Sequence, residues 1–236
     1  MKRFTALIVM LCLVGFTAMA QKRIAFSTAK IKPNFKVSKS ADTLFPVSVI
    51  NNADMTLYNT NGGGHPCGTN ELADLAKAQQ FSINGTGHLL GCFVWVGAKS
   101  GSTGNVVLNV YDANGKGVNN AGNAVNYAPG KVLGSLSRSL AQINAGFEFE
   151  EGLNFFEFPT PVAVGSHFYV GLDFSKMGAF PANKIGIVSS TNGGGMGLDL
   201  AWEKWDDETW VSMAYSWELD IDMIFIPIVE VEEFVC

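Results

Sequence analysis

The sequence predicts an all-β protein, an antiparallel sandwich of two sheets with about ten strands. Three observations carry this. Apolar residues recur at every second position over one short run after another, the period of a strand with two distinct faces. Turn residues separate those runs at short spacing, with 26 glycines in the chain and only 16% of residues charged. Four of the five tryptophans fall between Trp202 and Trp217, and an apolar face that rich in rings has to be buried against a second sheet.

The chain begins with a targeting segment at residues 1–20. Lys2 and Arg3 form its charged start, Ala6 to Phe16 its apolar run and Ala18-Met19-Ala20 a small-residue cleavage site, which makes Gln21 the expected mature N-terminus. The apolar run is shorter than the roughly 20 residues of a spanning helix, and no later run is both long and uncharged, so no membrane span is expected. Removing Lys2 and Arg3 takes the formal net charge from −5 to −7, which argues against nucleic acid and anionic membrane surfaces as partners. Residues 21–42 are polar and basic without a sustained period, an extended leader. Residues 43–236 then form a single β-sandwich domain.

Within that domain, Phe45 to Ile50 and Met55 to Tyr58 read as short strands, and Asn61 to Pro66 as a loop. The second half of Glu71 to Gln80 reads as a strand leading to a turn at Ile83-Asn84-Gly85-Thr86. His88 to Ala98 has two apolar faces, as a central strand covered on both sides would. Asn105 to Tyr111 follows, then a surface loop over Lys116 to Gly130, a polar edge strand over Lys131 to Ser139 and one helical turn around Leu140 to Asn144. Phe147 to Phe158 is rich in phenylalanine. In Phe168 to Phe174, Phe168, Val170, Leu172 and Phe174 face one way and Tyr169, Gly171 and Asp173 the other. Ile185 to Ser189 is short.

The end of the chain reads as three strands. Leu198 to Trp205 sets Leu198, Leu200 and Trp202 against Asp199, Ala201 and Glu203, and the acidic run Asp206-Asp207-Glu208 turns the chain. Thr209 to Trp217 alternates next. Leu219 to Phe225 is the third, ended by Pro227, which has no N–H to donate.

Beyond the targeting segment there are three cysteines. In an exported protein Cys67, in a glycine-rich loop, and Cys92, within a strand, are expected to pair as a disulfide, leaving Cys236 free. The competing reading is a metal site from His65-x-Cys67 and His88-x-x-x-Cys92. Asp112-x-Asn114 before Gly115 has the start of a calcium loop but no distal bidentate Glu, so a simple Asx turn is the plainer reading. No cofactor is expected.

No G-x-S-x-G, no H-E-x-x-H and no lysine-bearing phosphate loop occurs, so the chain is not expected to be an enzyme. The acids Glu203, Asp206, Asp207 and Glu208 read as a solvated turn rather than a glycosidase pair. The best ligand-binding candidates are Trp205 and Trp210, bracketing the acidic turn beside Glu203, Asp206 and Asp207. Exposed rings next to carboxylates suit a sugar, an apolar face for its C–H side and acceptors for its hydroxyls. The alternative is that the two rings pack to close a hairpin. Trp202 and Trp217 are expected in the core.

Several phrases occur in order: Asp74-Leu75-Ala76-Lys77-Ala78-Gln79, Val94-Trp95-Val96-Gly97-Ala98-Lys99, Val107-Leu108-Asn109-Val110-Tyr111-Asp112, Thr160-Pro161-Val162-Ala163-Val164, Phe168-Tyr169-Val170-Gly171 and Ala201-Trp202-Glu203-Lys204-Trp205. In these the chain resembles the jelly-roll-like β-sandwich accessory domains of proteins secreted by Bacteroidota, often through the type IX system. The resemblance implies an exported module in the periplasm, at the cell surface or in the medium. It would bind carbohydrate or an envelope protein, or serve as a structural component of the cell envelope.

Overall fold

The computed structural model describes residues 26–31, as backbone only, and 43–231. The targeting segment, most of the leader and Cys236 lie outside the described residues. In chain order the elements are β1 (Phe26–Ile31), α1 (Val47–Ile50), β2 (Met55–Thr60), β3 (Ala76–Ser82), β4 (Gly87–Ser100), β5 (Asn105–Asp112), β6 (Gly115–Val118), β7 (Ala124–Ala128) and β8 (Val132–Ser139). After a 3-10 turn at Leu140–Gln142 come α2 (Phe149–Gly152), β9 (Leu153–Val164), β10 (His167–Asp173), β11 (Lys184–Ile187), β12 (Ser189–Ser190), β13 (Ala201–Lys204), β14 (Trp210–Ser212), α3 (Met213–Trp217) and β15 (Phe225–Val231).

These elements build the predicted all-β sandwich. One layer is an eight-stranded sheet in the order β7-β6-β14-β13-β3-β10-β5-β8. The facing layer is organised by β4, which pairs antiparallel with β9, β15 and β11. A third, smaller sheet has the order β1-β2-β12. Among the described residues every strand pairing is antiparallel except β14 with β6.

The main core lies between the two large layers. Val106, Leu108 and Val110 of β5 and Phe168, Val170 and Leu172 of β10 meet Cys92, Val94 and Val96 of β4 and Phe156 of β9. The alternation read for β10 is what places its side chains on one face, and β5 shows the same period at Val106, Leu108 and Val110. The opposite face of β4 is covered too: Trp95 packs with Val49 of α1, Met55 of β2, Val188 and Ile224, as a strand apolar on both faces requires. The predicted edge strand is β8, which closes the eight-stranded sheet.

Four segments differ from their sequence reading. The stretch Phe45 to Ile50 contains a turn of helix, because the carbonyl of Pro46 accepts the N–H groups of Val49 and Ile50 and closes the chain on itself. Residues 116–130 are not a bare loop but largely the β6–β7 hairpin, which folds back over the eight-stranded sheet so that the Tyr169 hydroxyl donates to the carbonyl of Tyr127 (2.7 Å). Met213–Trp217 is helical rather than extended: Ser212 Oγ accepts the N–H of Ala214, the capping bond of a helix start, and Ser216 Oγ donates to the Ser212 carbonyl. Leu219 to Ile224 is largely irregular, and the strand begins at Phe225 with Pro227 inside it. Pro227 is tolerated there because β15 pairs along one side with β4 and lacks no N–H that β4 needs; its carbonyl accepts from Leu44.

Cys67 and Cys92 are both buried, and both thiols are free, so the expected disulfide is not formed. Cys67 stands beside β11, where its carbonyl accepts the Ile187 N–H, and Ile187 is opposite Val96 of β4. Four positions of β4 therefore separate that row from Cys92, roughly 13 Å along a strand, beyond the roughly 4.4–6.8 Å between Cα atoms that a disulfide spans. Burial pushes the Cys67 thiol up to about 11, and that of Cys92 higher still, so both remain protonated.

Candidate functional site

The eight-stranded sheet has an unusual division of labour at β3 and β13. These strands pair antiparallel with Lys77 directly opposite Glu203 and Ala78 opposite Trp202. Lys77 and Glu203 point into the sandwich, and Ala78 and Trp202 point out of it. Both charged side chains are fully buried.

Isolated charges could not be held there, because an unpaired ion in such a medium costs several kcal/mol, on the order of 5. Here the donors and acceptors are matched. Lys77 Nζ bonds Glu203 Oε2 and also Asp74 Oδ2, the latter at 2.7 Å. Asp74 Oδ2 takes a second bond from Asn70 Nδ2 (2.7 Å). Glu203 Oε2 accepts the indole N–H of Trp217 (2.7 Å), and Oε1 accepts that of Trp205 (2.5 Å). The Trp217 ring also lies 5.9 Å from Nζ, within cation–π range. Burial alone would push the Lys77 ammonium down, but the Asp74 and Glu203 carboxylates outweigh it and hold it above the ordinary lysine value.

The same face continues one step along β3. Gln79 Nε2 donates to Asp222 Oδ1 (2.8 Å), and its Oε1 accepts the Met223 N–H (2.9 Å). Asp222 Oδ2 accepts the N–H of Ser48. Burial raises the Asp222 carboxyl above its usual range, and the bonds from Ser48 and Gln79 only partly offset this.

On the outer face the aromatic side chains collect. Trp202, Trp210, Tyr111 and Tyr169 form a second cluster with Ala76, Ala78 and Ala128. Tyr111 meets Trp210 edge-on at 5.4 Å between centroids, and Tyr127 and Tyr169 flank Trp202 in the same manner. Two glycines allow close approach, Gly117 of a ring and Gly171 of the neighbouring strand. A Cβ on Gly117 would lie 2.8 Å from the Trp202 ring, and one on Gly171 would lie 2.4 Å from the Lys77 carbonyl.

The proposed sugar platform is therefore not assembled. Trp210 is 6% exposed beneath the β6–β7 hairpin, Glu203 is spent on Lys77 and two indoles, and Trp205 is half-buried with its N–H turned to Glu203. Asp206 and Asp207 stay exposed in the turn, where Asp207 Oδ1 accepts the Thr209 N–H. Trp202 and Trp217 are buried as expected, though on opposite faces of the sheet. Asp112 Oδ1 accepts the N–H groups of Asn114 and Lys131, so that oxygen closes an Asx turn. Among the described residues no three His, Cys, Asp or Glu side chains gather as a metal-ligand set. His65 Nδ1 faces the Tyr58 carbonyl at 3.1 Å, and since a carbonyl only accepts, Nδ1 carries the proton.

Two clefts open near these residues. A small one of about 140 Å³ is lined by Asn70, Asp74, Phe174, Met177, Phe180 and Asn183. A larger one of about 330 Å³ runs between residues 43–50 and β3, walled by Leu44, Phe45, Ile50, Phe81 and Leu200 with Gln80 and Ser82 as polar groups. Its edge is apolar: Ile50 is 66% exposed, and the next residue, Asn51, contacts Met196 Sδ through Nδ2. Neither Lys77 nor this groove was among the residues singled out from the sequence.

No family model matches the chain, and no curated protein matches it. Among solved structures it is similar to one containing the cysteine protease and lectin-like domains of Cwp84, a surface layer associated protein of Clostridium difficile. The identity is 11%, the TM-score 0.38, and the match covers 83% of this chain and 37% of that one. The chain thus spans well under half of that structure, and a likeness of this degree carries no functional argument. No helix among the described residues is long and apolar enough to cross a membrane.

Proposed function

We propose that this protein is an exported, non-catalytic β-sandwich module that binds a protein of the cell envelope, with the groove between residues 43–50 and β3 as its contact surface. The observation that carries the reading is the groove itself, an apolar cleft of about 330 Å³ walled by Leu44, Phe45, Phe81 and Leu200 and edged by exposed Ile50. That combination, apolar walls with a few polar groups at hand, is how binding sites are ordinarily built, and exposed apolar side chains in a group mark contact surfaces. A protein partner suits it better than a sugar, because Trp210 and Glu203, the ring and the carboxylate at the centre of a sugar platform, are packed inside. Export rests on the targeting segment at residues 1–20.

The test is retention of purified protein on isolated cell envelopes and on a glycan array, comparing wild type with Val47→Asp/Ile50→Asp, both residues of the groove wall. Loss of envelope retention at unchanged melting temperature supports the groove. Unchanged retention removes it, and binding to the array that survives the substitutions returns the glycan reading. A structural role in the envelope is the second reading, favoured by the buried Lys77–Glu203 pair that ties β3 to β13.

A further inference from the structure

We propose that Lys77 and Glu203 are a site of self-catalysed covalent cross-linking, in which the lysine amine and the glutamate carboxyl condense to an isopeptide bond that joins β3 to β13, with Asp74 as the proton relay. The proposal is independent of the groove.

The geometry assigns each group a part. The nucleophile is held against its electrophile, since Lys77 and Glu203 are cross-strand partners and Nζ contacts Glu203 Oε2, one bond from the carboxyl carbon. Both side chains are fully buried, so bulk water is not there to compete or to solvate the ions apart. Holding two reactants in this way replaces an encounter by an intramolecular step, worth an effective concentration of about 10⁵ M or more. Glu203 is the carboxyl set up to react. Its two oxygens each receive an indole N–H, from Trp205 and Trp217, fixed donors at the atoms where negative charge would develop in a tetrahedral intermediate. Asp74 Oδ2 meets Nζ at 2.7 Å, the position of a general base. A bond from Lys77 to Asp74 would join residues three apart and tie nothing together, whereas one to Glu203 closes a ring across two strands.

The chemistry balances within the cluster. Nζ, as an ammonium, gives up two of its three protons, relayed by Asp74 to a Glu203 oxygen. The Nζ–Cδ bond forms, the Cδ–O bond breaks, and that oxygen leaves as water. Asp74 ends as the carboxylate it was, one positive and one negative charge disappear together, and no oxidant or reductant is consumed. Asp74 also lines the cleft of about 140 Å³, which gives the released water a way out. Burial favours the product, because a neutral amide replaces an ion pair in a low-dielectric interior.

The experiment is the intact mass of the folded, purified wild-type protein against the mass its mapped termini require, followed by sequencing of the peptide that carries Lys77. The expected result is a protein lighter by one water, with a branched peptide joining Lys77 to Glu203 and resistance of that link to denaturant. Lys77→Arg and Asp74→Asn should each restore the full mass. A folded wild type at full mass overturns the proposal, as does a lost water mapped to any other pair, such as Ser212 with Asp199. The wild-type measurement decides the matter even where a variant does not fold.

Discussion

The two faces of the β3–β13 pair bury their residues by opposite means. On the inner face, Lys77, Gln79 and Glu203 are held by directed bonds, each polar atom matched to a partner at a fixed place. On the outer face, Trp202 and Trp210 are held by area and shape, with Ala76, Ala78 and Gly117 cut down to admit them. A directed network fails sharply when one member is lost, because what remains is a buried charge without a counterpart. A packed ring fails in proportion to the volume removed.

The largest effect should come from the network. Lys77→Met leaves two buried carboxylates uncompensated and should lower the unfolding free energy by roughly 3–5 kcal/mol, read from urea titration. Replacing Lys77, Asp74 and Glu203 together by apolar residues of similar size should return most of that loss, an outcome that packing alone would not give. Trp210→Ala should cost roughly 3 kcal/mol, and no second substitution should repair it, because the lost volume stays lost. A Trp210→Ala protein with unchanged stability would mean that the hairpin does not seal the outer cluster. Gly117→Ala, which pushes a methyl group towards the Trp202 ring, should cost about 1–3 kcal/mol and spare the inner network.

A smaller effect concerns pH. Burial first, and Lys184 second, hold the His65 imidazole below its ordinary value of 6.5, against the bond to Tyr58. The unfolded chain therefore binds the proton more readily. The stability that neutral His65 confers is complete above 6.5 and is lost as pH falls from there through the folded value. Melting temperature should fall as pH is lowered through that window in wild type and less so in His65→Gln; identical slopes would put the acid sensitivity elsewhere. Smallest of all, Asp206→Asn in the exposed turn should change stability by under about 0.5 kcal/mol.

Why the apolar packing was legible and the buried polar network was not follows from the residues concerned. Phe168, Val170 and Leu172 announce their face by alternation, and the two apolar faces around Trp95 announce a covered strand. Trp202 was placed in a core, correctly as to burial, because a ring of that size is rarely left in water. Lys77 gave no such signal. In Asp74-Leu75-Ala76-Lys77-Ala78-Gln79 its charge reads as solvent-facing, and only Ala76 and Ala78, small residues in step on the other face, hint that something large lies over them. Its partner is 126 positions away, so no local pattern could have paired them. Trp205 and Trp210 were misread for a related reason. The burial of Trp210 depends on the β6–β7 hairpin, which the turn-rich composition of residues 116–130 disguised, and Trp205 turns its N–H inward to Glu203, a partner no local pattern marks. Met213–Trp217 looked extended because a run of five residues is too short for its period to reveal a helix, and the deciding group was the Ser212 cap.

The pairing order of the strands bears on how the chain reaches this state. β3 has no hydrogen-bonded neighbour until β10 begins at His167, and β4 has none until β9 begins at Leu153. The strands at the centre of the two layers are thus made early and completed late. A polypeptide emerging N-terminus first carries both with open edges through most of its emergence, the condition in which strands pair with the wrong chain. Contacts so distant along the backbone also make the closing step slow. The fold therefore comes together only after β13 and β15 have followed, and their arrival closes both sheets.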